Sequence, residues 1–211
     1  MPISPFVIGI AGGSGSGKSW FAKKLGDAFP DDATIIEQDW YYRDLSGMPS
    51  EIANAVNFDH PDAIEFPLLL KHLETLIRGE TVQAPGYRYS THQRIENAHP
   101  LLPAPLLIVE GLFTLHHQDL IELFDHKLFI ETSELVRFER RLHRDVLHRG
   151  YSKEQITQSW QERTVPMFER FVAPSAIHAD NVWNPLRDSA FENSFLADLR
   201  NRLANNEKRK P

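Results

Sequence analysis

The sequence predicts an α/β protein, a three-layer sandwich with a parallel β-sheet between helices, carrying a small β insertion and a helical lid. Three observations predict this. The short apolar runs "FVIGIA", "TIIE", "LLIVE" and "KLFIE" have the length and composition of strands buried on both faces. Amphipathic stretches of helical period separate them, and strands alternating with helices imply a parallel sheet. The first run leads straight into "GIAGGSGSGKSW", a glycine-rich turn that opens a helical pattern.

The elements follow in order. After the first run, Phe21, Leu25 and Ala28 stack on one helical face. Phe66, Leu69, Leu70, Leu73, Leu76 and Ile77 recur at helical spacing, with Pro67 in the first turn and Gly79 past the end. The stretch 81–97 breaks the rhythm: it is rich in aromatics and arginine, carries Pro85-Gly86, and reads as a β insertion at the sheet's rim. Ser152 and Gln155 form a capping box that opens a helix, which Pro166 is expected to kink or stop. Phe191, Phe195, Leu199 and Leu203 mark a last helix. No linker or repeat divides the chain, so residues 1–211 are read as a single domain.

Composition narrows the function. The net charge of −6 argues against a nucleic-acid binder. The absence of cysteine excludes a disulfide scaffold and fits a reducing compartment. There is neither a basic leader nor an apolar run long enough for a membrane helix, so a cytoplasmic protein without membrane contact is expected.

Gly12, Gly13, Ser14, Gly15, Ser16, Gly17, Lys18 and Ser19 satisfy G-x-x-x-x-G-K-[ST], with a strand before and a helix after. This is the phosphate loop of the P-loop NTPases. Its glycines let backbone N–H groups converge on phosphate oxygens, and the following helix adds its positive end. Lys18 would reach the β and γ phosphates, and the Ser19 hydroxyl would ligate Mg²⁺. A magnesium site wants a second acid at a strand end, and Glu110 closes "LLIVEG". Asp39, just past the second apolar run, is the candidate base for an acceptor hydroxyl. The N-K-x-D tetrad of GTP switches is absent, which favours a small kinase over a switch.

Cations for the transferring phosphoryl group come from "ETSELVRFERRLHRDVLHRGYS". At 100° per residue, Arg137, Arg141, Arg144 and His148 lie within about 60° of one another. Leu135, Phe138, Leu142 and Val146 occupy the opposite side. The expectation is a helix with an apolar face buried and a cationic stripe exposed, with few acids to neutralise it, ending at Arg149-Gly150. Residues 137–152 would form a lid that closes over the nucleotide.

With these pieces placed, the chain resembles the uridine/cytidine kinase family of P-loop kinases, within the wider phosphoribulokinase/uridine kinase group. The matching stretches are "IGIAGGSGSGKS", "QDWYY", "NFDHPDA", "YRYSTHQR", "IVEG", "RRLHRDVLHRG" and "VPMFERFVAPS". The resemblance implies transfer of the γ-phosphoryl of ATP, or GTP, to the 5′-hydroxyl of a pyrimidine ribonucleoside. It implies that Asp59 accepts from the ribose hydroxyls with help from Arg141, that Tyr87, Tyr89 and His92 frame the base, and that Gln158 approaches the nucleoside. Arg144 and Arg149 would meet phosphates from the lid, and the family commonly assembles as tetramers. The chain departs from the pattern at Tyr151, where an arginine is frequent, and along "ADNVWNPLRDSAF" near the expected adenine site. Two alternatives stay open: a kinase for another small hydroxyl compound (pantothenate, nicotinamide riboside or a sugar phosphate), and a nucleotide-binding regulator without turnover.

Overall fold

The computed structural model describes residues 4–49, 51 and 55–207. In chain order the elements are β1 (Phe6–Gly12), α1 (Lys18–Ala28), β2 (Ala33–Glu37), α2 (Phe66–Ile77), the hairpin strands β3 (Val82–Arg88) and β4 (Gln93–Leu101), β5 (Leu106–Gly111), α3 (Gln118–Glu122), β6 (His126–Ile130), α4 (Glu134–His148), α5 (Lys153–Ser159), β7 (Asn181–Trp183) and α6 (Ala190–Glu207). Five strands form one parallel sheet in the order β2-β5-β1-β6-β7. The hairpin pairs antiparallel and stands apart as a second sheet.

The pleat of β1 explains the three layers. Val7 and Ala11 join one core with Leu69, Leu73 and Leu76 of α2 and with Val82 and Ala84 of the hairpin. Ile8 and Ile10, on the other face, join Phe21 and Leu25 of α1 and Phe195, Leu199 and Leu203 of α6. Every residue of β5 is buried, which is why "LLIVEG" reads as an unbroken apolar run. A fully buried leucine such as Leu73 contributes about 2 kcal/mol of transfer free energy, and Leu73→Ala would cost about 3 kcal/mol with its cavity.

The expected strands and helices form, and two further features stand out. β7 is an edge strand of which only Trp183 is buried, so "NVW" carries no apolar run. The β insertion extends past the expected 97 to Leu101, whose side chain joins the core. The capping box of Ser152 and Gln155 is present. Pro166, however, does not stop the helical path. Wide π turns at Trp160–Thr164 and Phe168–Val172 flank it, with Val165 N–H donating to the Trp160 carbonyl five residues back. The wider ring absorbs the missing proline N–H and carries the chain onward. Among the described residues, no helix is long and apolar enough to cross a membrane.

Candidate active site

β1 runs between β5 and β6, the point where neighbouring connections leave to opposite faces and a cleft opens at the carboxyl ends of the strands. The phosphate loop occupies this point. Gly15 has φ +79°, and a Cβ there would lie 2.3 Å from the carbonyl oxygen of Arg137, so no side chain fits. The loop is braced from behind by α4 and the residues leading into it. Arg140 Nη1 donates to the carbonyls of Gly15 and Ser16, and Thr132 Oγ1 donates to Ser16.

Lys18 and Ser19 open α1 and point into the cleft. Ser19 Oγ donates to Glu110 Oε1 at 2.8 Å, while Glu110 Oε2 is buried without a partner. Burial pushes the Glu110 carboxyl up to about 7, against the pull of Lys18. Burial also pulls the Lys18 ammonium down, opposed by Glu110 and Asp39. A hydroxyl beside an orphaned carboxylate oxygen at a strand end fits Mg²⁺, which takes oxygen ligands and keeps several of its waters. Asp39 lies one turn past β2, in a 3-10 turn, on the same cleft.

On the same cleft, Asp59 is buried in the stretch "NFDHPDA". Asn57 Oδ1 accepts from Asp59 N–H, and the 3-10 turn Pro61–Ala63 follows. The carboxylate takes Arg141 in a fork, Nη1 at 3.0 Å from Oδ1 with Nη1 and Nη2 both 3.2 Å from Oδ2, and accepts Thr164 Oγ1 at 2.8 Å. Burial alone would push the Asp59 carboxyl up, but Arg141 and Thr164 hold it below its usual range. Beside it Tyr42, Phe58, Tyr87 and His92 form an aromatic enclosure. His92 stacks on Phe58 at 4.9 Å, and Tyr42 meets both Phe58 and Tyr87 at 5.3 Å. Burial lowers the His92 pKa, so the imidazole is neutral at neutral pH. Arg94 anchors the hairpin above this enclosure through Glu65 and the Tyr42 carbonyl.

A single cavity of about 550 Å³ joins the two halves. Lys18, Ser19, Asp39, Asp59, Glu110 and Arg141 line it, and so do the remaining side chains singled out beyond the loop: Tyr87, Tyr89, His92, Arg144, Arg149 and Gln158. Of the loop residues, Ser14, Lys18 and Ser19 reach the lining.

The helix α4 corrects two expectations. Its arginine stripe faces inward, not outward. Arg137 is buried with its guanidinium 3.8 Å from the Phe168 ring, and Arg141 and Arg144 face the cavity. Leu135 is exposed, and Phe138, Leu142 and Val146 are only half-buried. Polar ligation in the cleft outweighs apolar burial here because the arginines have fixed partners. The stripe is also not short of acids. Asp145, itself buried, lies 3.4 Å from Arg141 Nε, 2.7 Å from Arg144 Nε and 3.5 Å from Arg149 Nε. Its spacing, four residues after Arg141 and four before Arg149, was visible in the sequence as a shared helical face. Thr164 could not be found that way, because the π turn that aims it at Asp59 has no sequence period.

Residues 7–192 match the model of the phosphoribulokinase/uridine kinase family. The chain belongs to that family. Among its named relatives, a uridine kinase of Clostridium perfringens is 40% identical over 177 residues, covering 83% of this chain and 85% of that protein. A uridine kinase of Deinococcus deserti is 38% identical over 179 residues, 84% of this chain and 86% of the other. A putative fructose transport system kinase from a Silicibacter species shares the fold with TM-score 0.71 at 20% identity, over 87% of this chain and 91% of that one. The phosphoribulokinase of Rhodobacter spheroides does so with TM-score 0.63 at 18% identity, over 86% and 70%. The family match covers every element that lines the cavity, including Asp145 and Thr164.

Proposed function

We propose that this chain is a nucleoside kinase that transfers the γ-phosphoryl of ATP to the 5′-hydroxyl of uridine or cytidine. The observation that carries this reading is one cavity lined both by phosphate-loop residues and by a forked carboxylate beside an aromatic enclosure. Planar rings suit a flat base, and a buried carboxylate suits a ribose hydroxyl. The uridine kinases among its relatives support the same acceptor.

The roles follow from position. The loop N–H groups and Lys18 hold the β and γ phosphates of the donor, with ATP preferred here and GTP as the alternative donor. Ser19 and Glu110 would hold Mg²⁺, which would supply positive charge to offset that of the phosphates. Asp59 and Arg141 fix the ribose so that the 5′-hydroxyl projects toward Asp39. Asp39 accepts the hydroxyl proton as the oxygen attacks the γ phosphorus. Arg144 and Arg149, steadied by Asp145, offset charge on the equatorial oxygens, and residues 137–152 act as the lid that excludes water. Tyr87 and His92 border the base, and Gln158, bonded to Glu162 at 3.0 Å, faces it from the lid side. The cytoplasm and a dimeric or tetrameric assembly complete this reading.

An ADP-release assay over nucleosides, pantothenate, nicotinamide riboside and sugar phosphates tests it. Stimulation by uridine or cytidine is expected. Stimulation by a different acceptor alone, or by none while nucleotide still binds, overturns the assignment.

A further inference from the structure

We propose that Tyr89 is a positioning residue that ties the proton-accepting carboxylate to the lid, so that one side chain sets both the orientation of Asp39 and the seat of Arg149. This deepens the kinase reading and rests on Asp39 as the base. The hydroxyl of Tyr89 donates to Asp39 Oδ2 at 3.1 Å. Among the described residues this is the one side-chain hydrogen bond that Asp39 receives, and it leaves Oδ1 open to a substrate hydroxyl. The ring face of Tyr89 makes the second contact. The Arg149 guanidinium lies 3.7 Å from its centroid, and Arg149 in turn reaches Asp145. Tyr89 is therefore engaged at its hydroxyl by the base and on its face by the lid, which leaves it little freedom to read a nucleobase as the resemblance suggested.

The phenol is a dependable donor. Burial, and then the Asp39 carboxylate beside it, push its pKa upward, so it keeps its proton throughout the neutral range. Asp39 faces Lys18 from α1, Glu37 from β2, Glu110 from β5 and Arg144 from α4, besides Tyr42. In that crowd of charges a carboxylate held by one neutral donor has a fixed rotamer without a competing cation on the oxygen that must take the proton.

The test separates hydroxyl from ring. Tyr89→Phe keeps the face for Arg149 and removes the donor. It should lower kcat/KM for the nucleoside about tenfold, as expected for loss of a hydrogen bond to a charged group. The fall should lie in kcat, with the KM for the nucleoside little changed, and the same change made in an Asp39→Asn background should cost nothing further. The KM for ATP should stay as in the wild type. Tyr89→Leu, which also removes the face, should add a rise of several fold in the KM for ATP. A Tyr89→Phe change that costs as much in the Asp39→Asn background as in the wild type, or that leaves the wild-type kcat unchanged, overturns the link to Asp39. An unchanged KM for ATP in Tyr89→Leu overturns the link to the lid. Asp39→Asn distinguishes the premise: a nearly active Asp39→Asn enzyme removes the base and this inference with it, whereas an inactive one beside a normal Tyr89→Phe removes the role of Tyr89 alone.

Discussion

Replacing Asp59 with alanine should erase the preference for ribose over 2′-deoxyribose, and the structure sets the size of the effect. The Asp59 carboxylate has about four acceptor positions. Oδ2 already takes both nitrogens of the Arg141 fork and Thr164, whereas Oδ1 takes Nη1 alone. The open capacity is therefore on Oδ1, which narrows an expected pair of bonds from the diol to one. With a 2′-deoxy substrate the second acceptor position of this buried oxygen stays empty, which costs about 1–3 kcal/mol, or about 5- to 150-fold in kcat/KM. Asp59→Ala removes the acceptor and brings the ratio for uridine over 2′-deoxyuridine toward one. Arg141 keeps Asp145 at 3.4 Å, so the variant is expected to stay folded and still to bind nucleotide. Parallel kcat/KM measurements with the two nucleosides read the ratio directly. An unchanged ratio, with or without an equal loss for both substrates, would refute the reasoning.

Three further outcomes follow from the same site. Asp39→Asn should lower kcat at least about a hundredfold with little change in nucleotide affinity, measured by steady-state kinetics and nucleotide titration. Glu110 holds its proton to about 7 when folded and to about 4.5 when unfolded, so in metal-free protein its contribution to stability falls as pH rises through that window. Because Mg²⁺ needs the ionised form, the Tm gained on adding Mg²⁺ with nucleotide should be larger at pH 8 than at pH 6, and Glu110→Gln should flatten that difference. Gly15→Ala combines φ +79° with a backbone clash at Arg137, and should cost about 2 kcal/mol or more, a Tm drop on the order of 5 °C, with loss of nucleotide binding in the same scan.

Much of this architecture is legible from local pattern. The buried strands advertise themselves because both faces are covered, and the phosphate loop because a Cβ at Gly12 or Gly15 would collide with neighbouring backbone. What escaped the sequence depends on contacts distant in the chain. The inward turn of the arginine stripe is set by Asp59, 82 residues before Arg141, and no helical period encodes that partner. A moment-based reading assigns apolar residues to the interior, whereas α4 exposes Leu135 and buries Arg137. Pro166 misled for a related reason: a π turn can accommodate what an α-helix cannot, and only the packed structure reveals it. Asp145 was readable from its i,i+4 spacing, because it shares a face with Arg141 and Arg149.

The central claim is that the two halves of the cavity serve one phosphoryl transfer. Incubating the protein with γ-labelled ATP, Mg²⁺ and uridine, and following phosphorus by NMR, tests it most directly, with 5′-deoxyuridine as the control. The account predicts label on the uridine 5′-oxygen, none on the control, and loss of the signal in Asp39→Asn. Bound ATP with no label on uridine or cytidine, or label appearing only in free phosphate, would contradict it.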